Sequence, residues 1–228
     1  MTIPAFLRNG LVAVACSTAL HSTSCATDAA VRLDLAGETH RQILVDREPG
    51  QYLGHPSTVL LEDGRTLLVA YPRGHGKGAI CLKRSTDGGL HWSDRLTVPD
   101  NWATSLETPT LHRVVDASGT RRLILWSGLH PARLSVSEDD GAHWTPLAPA
   151  GDWGGIVVMA SVEARREWPG RYLAWFHDDG RFFSATPESR NPALFRLLQT
   201  ESGDGGLTWS RPRELFASRE MHLCEPGA

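Results

Sequence analysis

The residues able to do chemistry gather in a few Gly-rich segments. His177-Asp178-Asp179-Gly-Arg181 sets two acids side by side. Like charge beside a carboxyl raises its pKa, so that one member of a pair can hold a proton while the other stays ionised. The same two residues also suit a plain turn before Gly180, because short Asp side chains bond back onto the backbone; both uses stay open at this level. Tyr71-Pro-Arg73-Gly-His75-Gly-Lys77 adds cations and an imidazole, while Gly50-Gln-Tyr-Leu-Gly-His55, the stretch from Asp100 to Glu107, Gly151-Asp-Trp153, Ser127-Gly-Leu-His130 and Glu220-Met-His-Leu-Cys-Glu225 supply further His, Trp and acids. This mix of carboxylates, cations and Trp on loops suits an acidic or neutral sugar. The candidates for binding are His55, Arg73, His75, Lys77, Glu107, His177 and Arg181. Taken singly, each also fits a solvated loop charge.

A repeated element must hold these segments. Ser85-Thr-Asp87-Gly-Gly89-Leu-His-Trp92, Ser137-Glu-Asp139-Asp-Gly141-Ala-His-Trp144 and Ser202-Gly-Asp204-Gly-Gly206-Leu-Thr-Trp209 all read Ser-x-Asp-x-Gly-x-x-Trp, starting 52 and 65 residues apart. Ser and Asp accept bonds from nearby amides, Gly allows the left-handed backbone of a tight turn, and Trp anchors it over the strands, so each motif reads as a hairpin lock. Upstream of each lie a turn (Gly64, Gly119, Gly170) and strand-like runs: Ser57 to Leu61, Leu67 to Tyr71 and Ala79 to Lys83; Thr110 to Val114, Leu123 to Trp126 and Ala132 to Val136; Ile156 to Val162, Tyr172 to Phe176 and Phe195 to Leu198. With a short segment after each Trp, such as Arg95 to Val98, every unit is expected to be a four-stranded meander. A period of about 50 residues with four strands is a propeller blade. Successive turns of a meander alternate between its ends, so the Ser-x-Asp turns share one end with Gly64, Gly119 and Gly170, and the chemistry-bearing loops collect at the other.

The three motifs resemble the Asp boxes of the sialidase and BNR-repeat family over roughly residues 45–228. The resemblance implies an all-β, six-bladed propeller of sialidase type, with three blades here plus the start of a fourth; a full ring needs on the order of 150 further residues at this repeat length. It implies an exo-acting glycoside hydrolase on a terminal sialic acid or related sugar, with a glycan partner and with no metal or organic cofactor. In the family an Arg before a Pro at the first strand helps to hold the substrate carboxylate, and an acid/base Asp lies in the first blade's second loop. Here those places hold Gly54-His55-Pro56 and Arg73-Gly-His75-Gly-Lys77, without Arg at the first or carboxylate at the second. Glu225 in Cys224-Glu225-Pro226-Gly227 matches the family Glu that polarises a Tyr nucleophile, and is the residue carried over as catalytic; with the acid/base moved, Asp178 and Asp179 are the remaining candidates. The alternatives are a non-catalytic propeller binding glycan or protein, and an inactive truncated fragment.

Composition bounds the rest. The 228 residues carry 23 Lys plus Arg against 26 Asp plus Glu, a net charge of -3 that gives no basic field for nucleic acid. Residues 1–30 run from Arg8 through an apolar Leu11 to Leu20 into small residues, the layout of a secretory leader with cleavage after Ala26 or Ala30, and an exported protein follows. The apolar run is shorter than the ~20 residues that span a bilayer, so no integral membrane span is expected; Cys16 after Ala-Val-Ala offers lipid anchoring as a minor option. Without the leader, Cys81 and Cys224 remain, and both are expected as buried thiols.

Overall fold

A computed structural model describes residues 32–183 and 194–227. The expected leader, residues 1–30, lies outside the described residues. The chain divides into a short unit, Met1–Arg41, whose described part holds one 3-10 turn at Thr39–Arg41, and a main unit from Gln42 onward. No helix among the described residues is long and apolar enough to cross a membrane.

Within the main unit every described strand belongs to one of three antiparallel meanders. The first holds β1 (Ser57–Leu60), β2 (Leu67–Pro72) and β3 (Ile80–Ser85); the second β4 (Thr110–Val115), β5 (Arg121–Ser127), β6 (Arg133–Ser137) and β7 (Ala148–Pro149); the third β8 (Ile156–Ala164), β9 (Tyr172–Asp178), β10 (Phe195–Ser202) and β11 (Arg213–Ser218). They are three successive propeller-type blades. The inner runs of β2 and β5 are apolar without alternation because both faces are covered. In β2, Leu68 and Ala70 turn into a core shared with Leu111, Leu123 and Leu125 of the second blade. Val69 and Tyr71 turn the other way, against Val45, Leu53 and Trp92. A second core joins blades two and three through Val114, Ile124, Trp126, Tyr172, Ala174, Phe176 and Leu198.

The expectation of four strands in every blade needs correction. The first blade has three, and β7 is only two residues long. A bulge recurs after each motif Trp and displaces the fourth segment, although in the third blade β11 still pairs over six residues. Ser93, Thr145 and Ser210 each donate their N–H to the third strand, at Arg84, Val136 and Glu201. The next pairings are Leu96 to Leu82, Ala148 opposite Leu134 and Arg213 opposite Gln199. Each time the fourth segment advances three residues while its partner advances two, which is the signature of one extra, unpaired residue. In the first blade Leu96 adds one further bond, and then Pro99, which has no N–H, leads into a 3-10 turn at Asp100–Thr104.

The three motif turns are superimposable in their bonding. Ser Oγ donates to Asp Oδ1 at 2.8, 2.9 and 2.9 Å and accepts the Gly89, Gly141 or Gly206 N–H at 2.8, 2.8 and 2.9 Å. The Asp carboxylate takes the N–H of His91, His143 or Thr208. These bonds hold the carboxyls low: Asp139 is pulled to about 2, first by the His143 amide, and Asp87 lies lower still. At Asp204 the bonds outweigh an opposing effect of burial. The turns lie at the expected end, since Gly88 donates to Arg65 O and Gly205 to Gly170 O. Trp92 packs on Val69 and Tyr71 of its own blade, whereas the other two reach back along the chain. Trp209 meets Trp126 edge-on at 5.7 Å, and Trp144 meets Trp102 at 5.4 Å.

Candidate active site

At the opposite end, the loops from three blades and the segment 219–227 converge on His177. This residue is the penultimate one of β9 and is buried. Its Nδ1 accepts the backbone N–H of Glu225 at 3.2 Å, so the ring proton of the neutral imidazole sits on Nε2. Burial lowers the His177 pKa, and the negative charges of Glu225, Asp179, Glu107 and Asp178 offset only part of that fall. The ring is thus neutral at pH 7, ringed by four acids that the sequence scatters over 118 positions, from Glu107 to Glu225.

Those acids are not equivalent. Asp178 is fully buried; its carboxylate accepts the Gly180 and Phe182 N–H groups, both at 2.8 Å, and lies 3.4 Å from Arg196 Nη1. Burial raises its pKa against the pull of those bonds. Of the two uses open in sequence, the geometry favours the turn for Asp178. Asp179 is held by Arg181, with contacts of 2.8 and 2.7 Å to Nε and 2.6 Å to Nη2. Arg181 is therefore neutralised by its neighbour.

Glu107 and Glu225 differ from them. Glu107 precedes Thr108-Pro109 at the start of the second blade, and Glu225 precedes Pro226. Neither carboxylate has a cationic partner within ion-pairing distance among the described residues. Glu107 accepts its neighbouring Thr108 N–H at 2.7 Å and is half-buried. It fits between two loops because both carry Gly: a Cβ at Gly76 would lie 3.0 Å from Oε1, and one at Gly128 would lie 3.1 Å from Cγ. Buried Ser105 fixes the same loop, bonding Ser127 Oγ at 2.9 Å and Glu107 O at 3.0 Å. The two serines belong to no motif, and only the fold brings them together. Glu225 is exposed and has φ 47, a left-handed conformation uncommon for Glu, which its amide bond to His177 maintains.

The first blade contributes differently from expectation. His55, in left-handed backbone at φ 50, and His75 meet at 3.4 Å between their Nε2 atoms. Lys77 is exposed beside them in sequence. Arg73, expected among the binding residues, instead pairs with both oxygens of Glu48, which also takes Arg95 at 2.8 Å. The reason is the segment from Val45 to Pro49, which lies along the outer side of the blade: Tyr71 donates to Asp46, Arg95 Nε contacts Asp46 at 2.7 Å, and Lys83 donates to Val45 O. Nothing in the spacing of Asp46 and Glu48 announces that role. The two thiols separate as well. Cys81 is buried as expected, whereas Cys224, also expected buried, is exposed because the 219–227 segment runs over the surface.

Among solved structures, the chain is similar to a family GH93 alpha-L-arabinofuranosidase of Fusarium graminearum in complex with arabinobiose, with TM-score 0.53 and 14% identity over 75% of this chain and 51% of that one. A protein of unknown function from Dyadobacter fermentans matches with TM-score 0.49 and 17% identity, over 75% and 53%. A GH43 protein of Bacillus licheniformis matches with TM-score 0.46 and 10% identity, over 76% and 32%. The chain spans about half the length of the first two structures. At these identities the likeness is one of fold. No protein-family model matches the sequence, and no curated protein matches it.

Proposed function

We propose that the protein is a glycoside hydrolase that removes a terminal sugar from a glycan at the loop end of its blades, with Glu107 and Glu225 as the working carboxylates. One observation carries this reading: two acids without cationic partners among the described residues, one before the second blade and one in the segment after β11, flank a neutral buried imidazole. Glycosidic cleavage asks for such a pair, one carboxyl to protonate the leaving oxygen and one carboxylate to attack the anomeric carbon or to activate water beside it. His177 positions Glu225 through its amide, and the Ser105–Ser127 pair positions Glu107. The GH93 likeness is compatible with this reading through the fold.

For the sugar, the site favours a neutral ring over sialic acid. A sialidase-type site holds its substrate carboxylate with several arginines, whereas Arg73 and Arg181 are paired with Glu48 and Asp179 and the first blade offers His55 in place of Arg. The six-bladed ring and export through the 1–30 leader belong to the same proposal. A second reading, a propeller that binds glycan without cleaving it, draws on the lack of Arg beside Pro56 and of an acid in the Arg73–Lys77 loop.

The test is hydrolysis of aryl α-L-arabinofuranoside, β-xyloside and α-sialoside by the purified protein and by Glu225→Gln. Release from a neutral glycoside that falls by at least a hundredfold in the variant supports the proposal. Turnover unaffected by the substitution removes Glu225 from the mechanism, and glycan binding without any release favours the second reading.

A further inference from the structure

Beside the carboxylates, the first blade presents a corner of three rings. Tyr52 is 58% exposed, and its ring lies 5.7 Å from that of His75 at a shallow 31°. His55 stands against His75 almost perpendicular, at 86° and 4.5 Å between centroids. Tyr52 and His75 therefore form a gently tilted floor, and His55 a wall.

The corner is built into the backbone. Gly54 is buried beneath the Tyr52 ring, where a Cβ would fall 2.2 Å from Cε1, so only glycine lets the ring fold back over its own chain. His55 holds a left-handed φ of 50, and His75 sits between Gly74 and Gly76, both at positive φ. A non-glycine residue in left-handed backbone carries a conformational cost, which points to a use. Among the described residues the imidazoles have no carboxylate partner; their Nε2 atoms face each other at 3.4 Å, which leaves each Nδ1 for a ligand. The corner also adjoins the proposed reaction centre: Gly76, next to His75, is the glycine whose Cβ would lie 3.0 Å from Glu107 Oε1.

We propose that Tyr52, His75 and His55 form a sugar-binding subsite that stacks one ring of the glycan by its C–H face, with the imidazoles taking its hydroxyls. This inference rests on the proposed glycoside hydrolase reading and specifies its subsite. The chemistry selects a sugar: one face of a pyranose or furanose is apolar C–H that lies well on an aromatic floor, while its rim of hydroxyls needs groups that both donate and accept, as a neutral imidazole does. Arg73, two residues before His75, is turned away onto Glu48, while Lys77 stays exposed at the rim.

Binding is measured apart from cleavage, by saturation-transfer NMR and calorimetry on Glu225→Gln protein, with arabinobiose, cellotetraose and sialyllactose as probes. The expected result is saturation of sugar C–H protons for at least one neutral probe, a tenfold or greater loss of affinity in Tyr52→Ala and His75→Ala, and recovery in Tyr52→Trp, with unchanged melting temperature in each. Affinity within twofold of the parent in Tyr52→Ala, or no saturation from any probe, overturns the subsite. Stacking that persists in a protein that hydrolyses nothing leaves the subsite standing and sinks the hydrolase instead.

Discussion

At the residue scale the two free acids and one buried imidazole make distinct demands. Glu107→Gln and Glu225→Gln preserve shape and remove a titrating group; each is expected to lower kcat by about 10²–10⁴-fold while shifting the melting temperature by less than 2 °C or so, read from kinetics and calorimetry together. Asp178→Asn is expected to behave oppositely, lowering stability because two amides and Arg196 lose their carboxylate. His112 gives a pH signature. Its Nε2 bonds Met159 O at 3.0 Å, and burial depresses its pKa from 6.5 to about 4. The unfolded chain then binds a proton that the folded chain refuses, so stability is complete above pH 6.5 and declines as pH falls towards 4. The loss is at most about 3 kcal/mol, because the residue is only partly buried. Urea unfolding at pH 7 and 4.5 should show a drop that shrinks in His112→Gln; equal drops in both proteins would contradict the assignment.

At the element scale the Asp boxes are locks, and their glycines separate local strain from packing. Gly88 and Gly205 occupy the same box position, at φ 78 and 76. A Cβ on Gly88 meets nothing within 4 Å, whereas one on Gly205 would lie 2.6 Å from Asp116 Cβ in the preceding blade. Gly88→Ala should cost about 1 kcal/mol for left-handed backbone alone, and Gly205→Ala at least twice that, as measured by chemical denaturation, with neither altering kcat. The boxes were legible in sequence because Ser, Asp, Gly and Trp recur at fixed spacing, and they also set which loops share an end. Nine strand runs could be read for the same reason, through β-branched and apolar stretches between turn residues. The bulge after each Trp was not legible, since an unpaired residue leaves no mark on composition; the first blade loses its fourth strand where Pro99 leads the chain into the 3-10 turn. Arg73 was misjudged on similar grounds: its partner Glu48 lies in a segment without pattern, 25 positions away. Glu107 read as a binding residue; its freedom from any cation, which moves it to the centre of the site, depends on Gly76 and Gly128 from two different loops.

At the scale of the whole molecule, stability resides between blades more than within them. Trp126 is fully buried and touches both Trp153 and Trp209, tying the second blade to the third. Trp126→Ala is expected to destabilise by about 3–5 kcal/mol. Hydrogen exchange should be slowest in β5, whose residues Leu123 to Ser127 are all buried, and fastest among the strands in β11, where Leu215 and Phe216 are exposed. The same architecture keeps stability and chemistry at opposite ends: box turns lock one end while the loops around His177 are free to carry a site at the other. That separation is tested most directly by comparing Glu225→Gln with Asp204→Ala in one hydrolysis assay, at a temperature where both are folded. The account predicts turnover of a neutral glycoside that is retained in Asp204→Ala and lost in Glu225→Gln. Retention of turnover in Glu225→Gln, or its loss in folded Asp204→Ala, would contradict it.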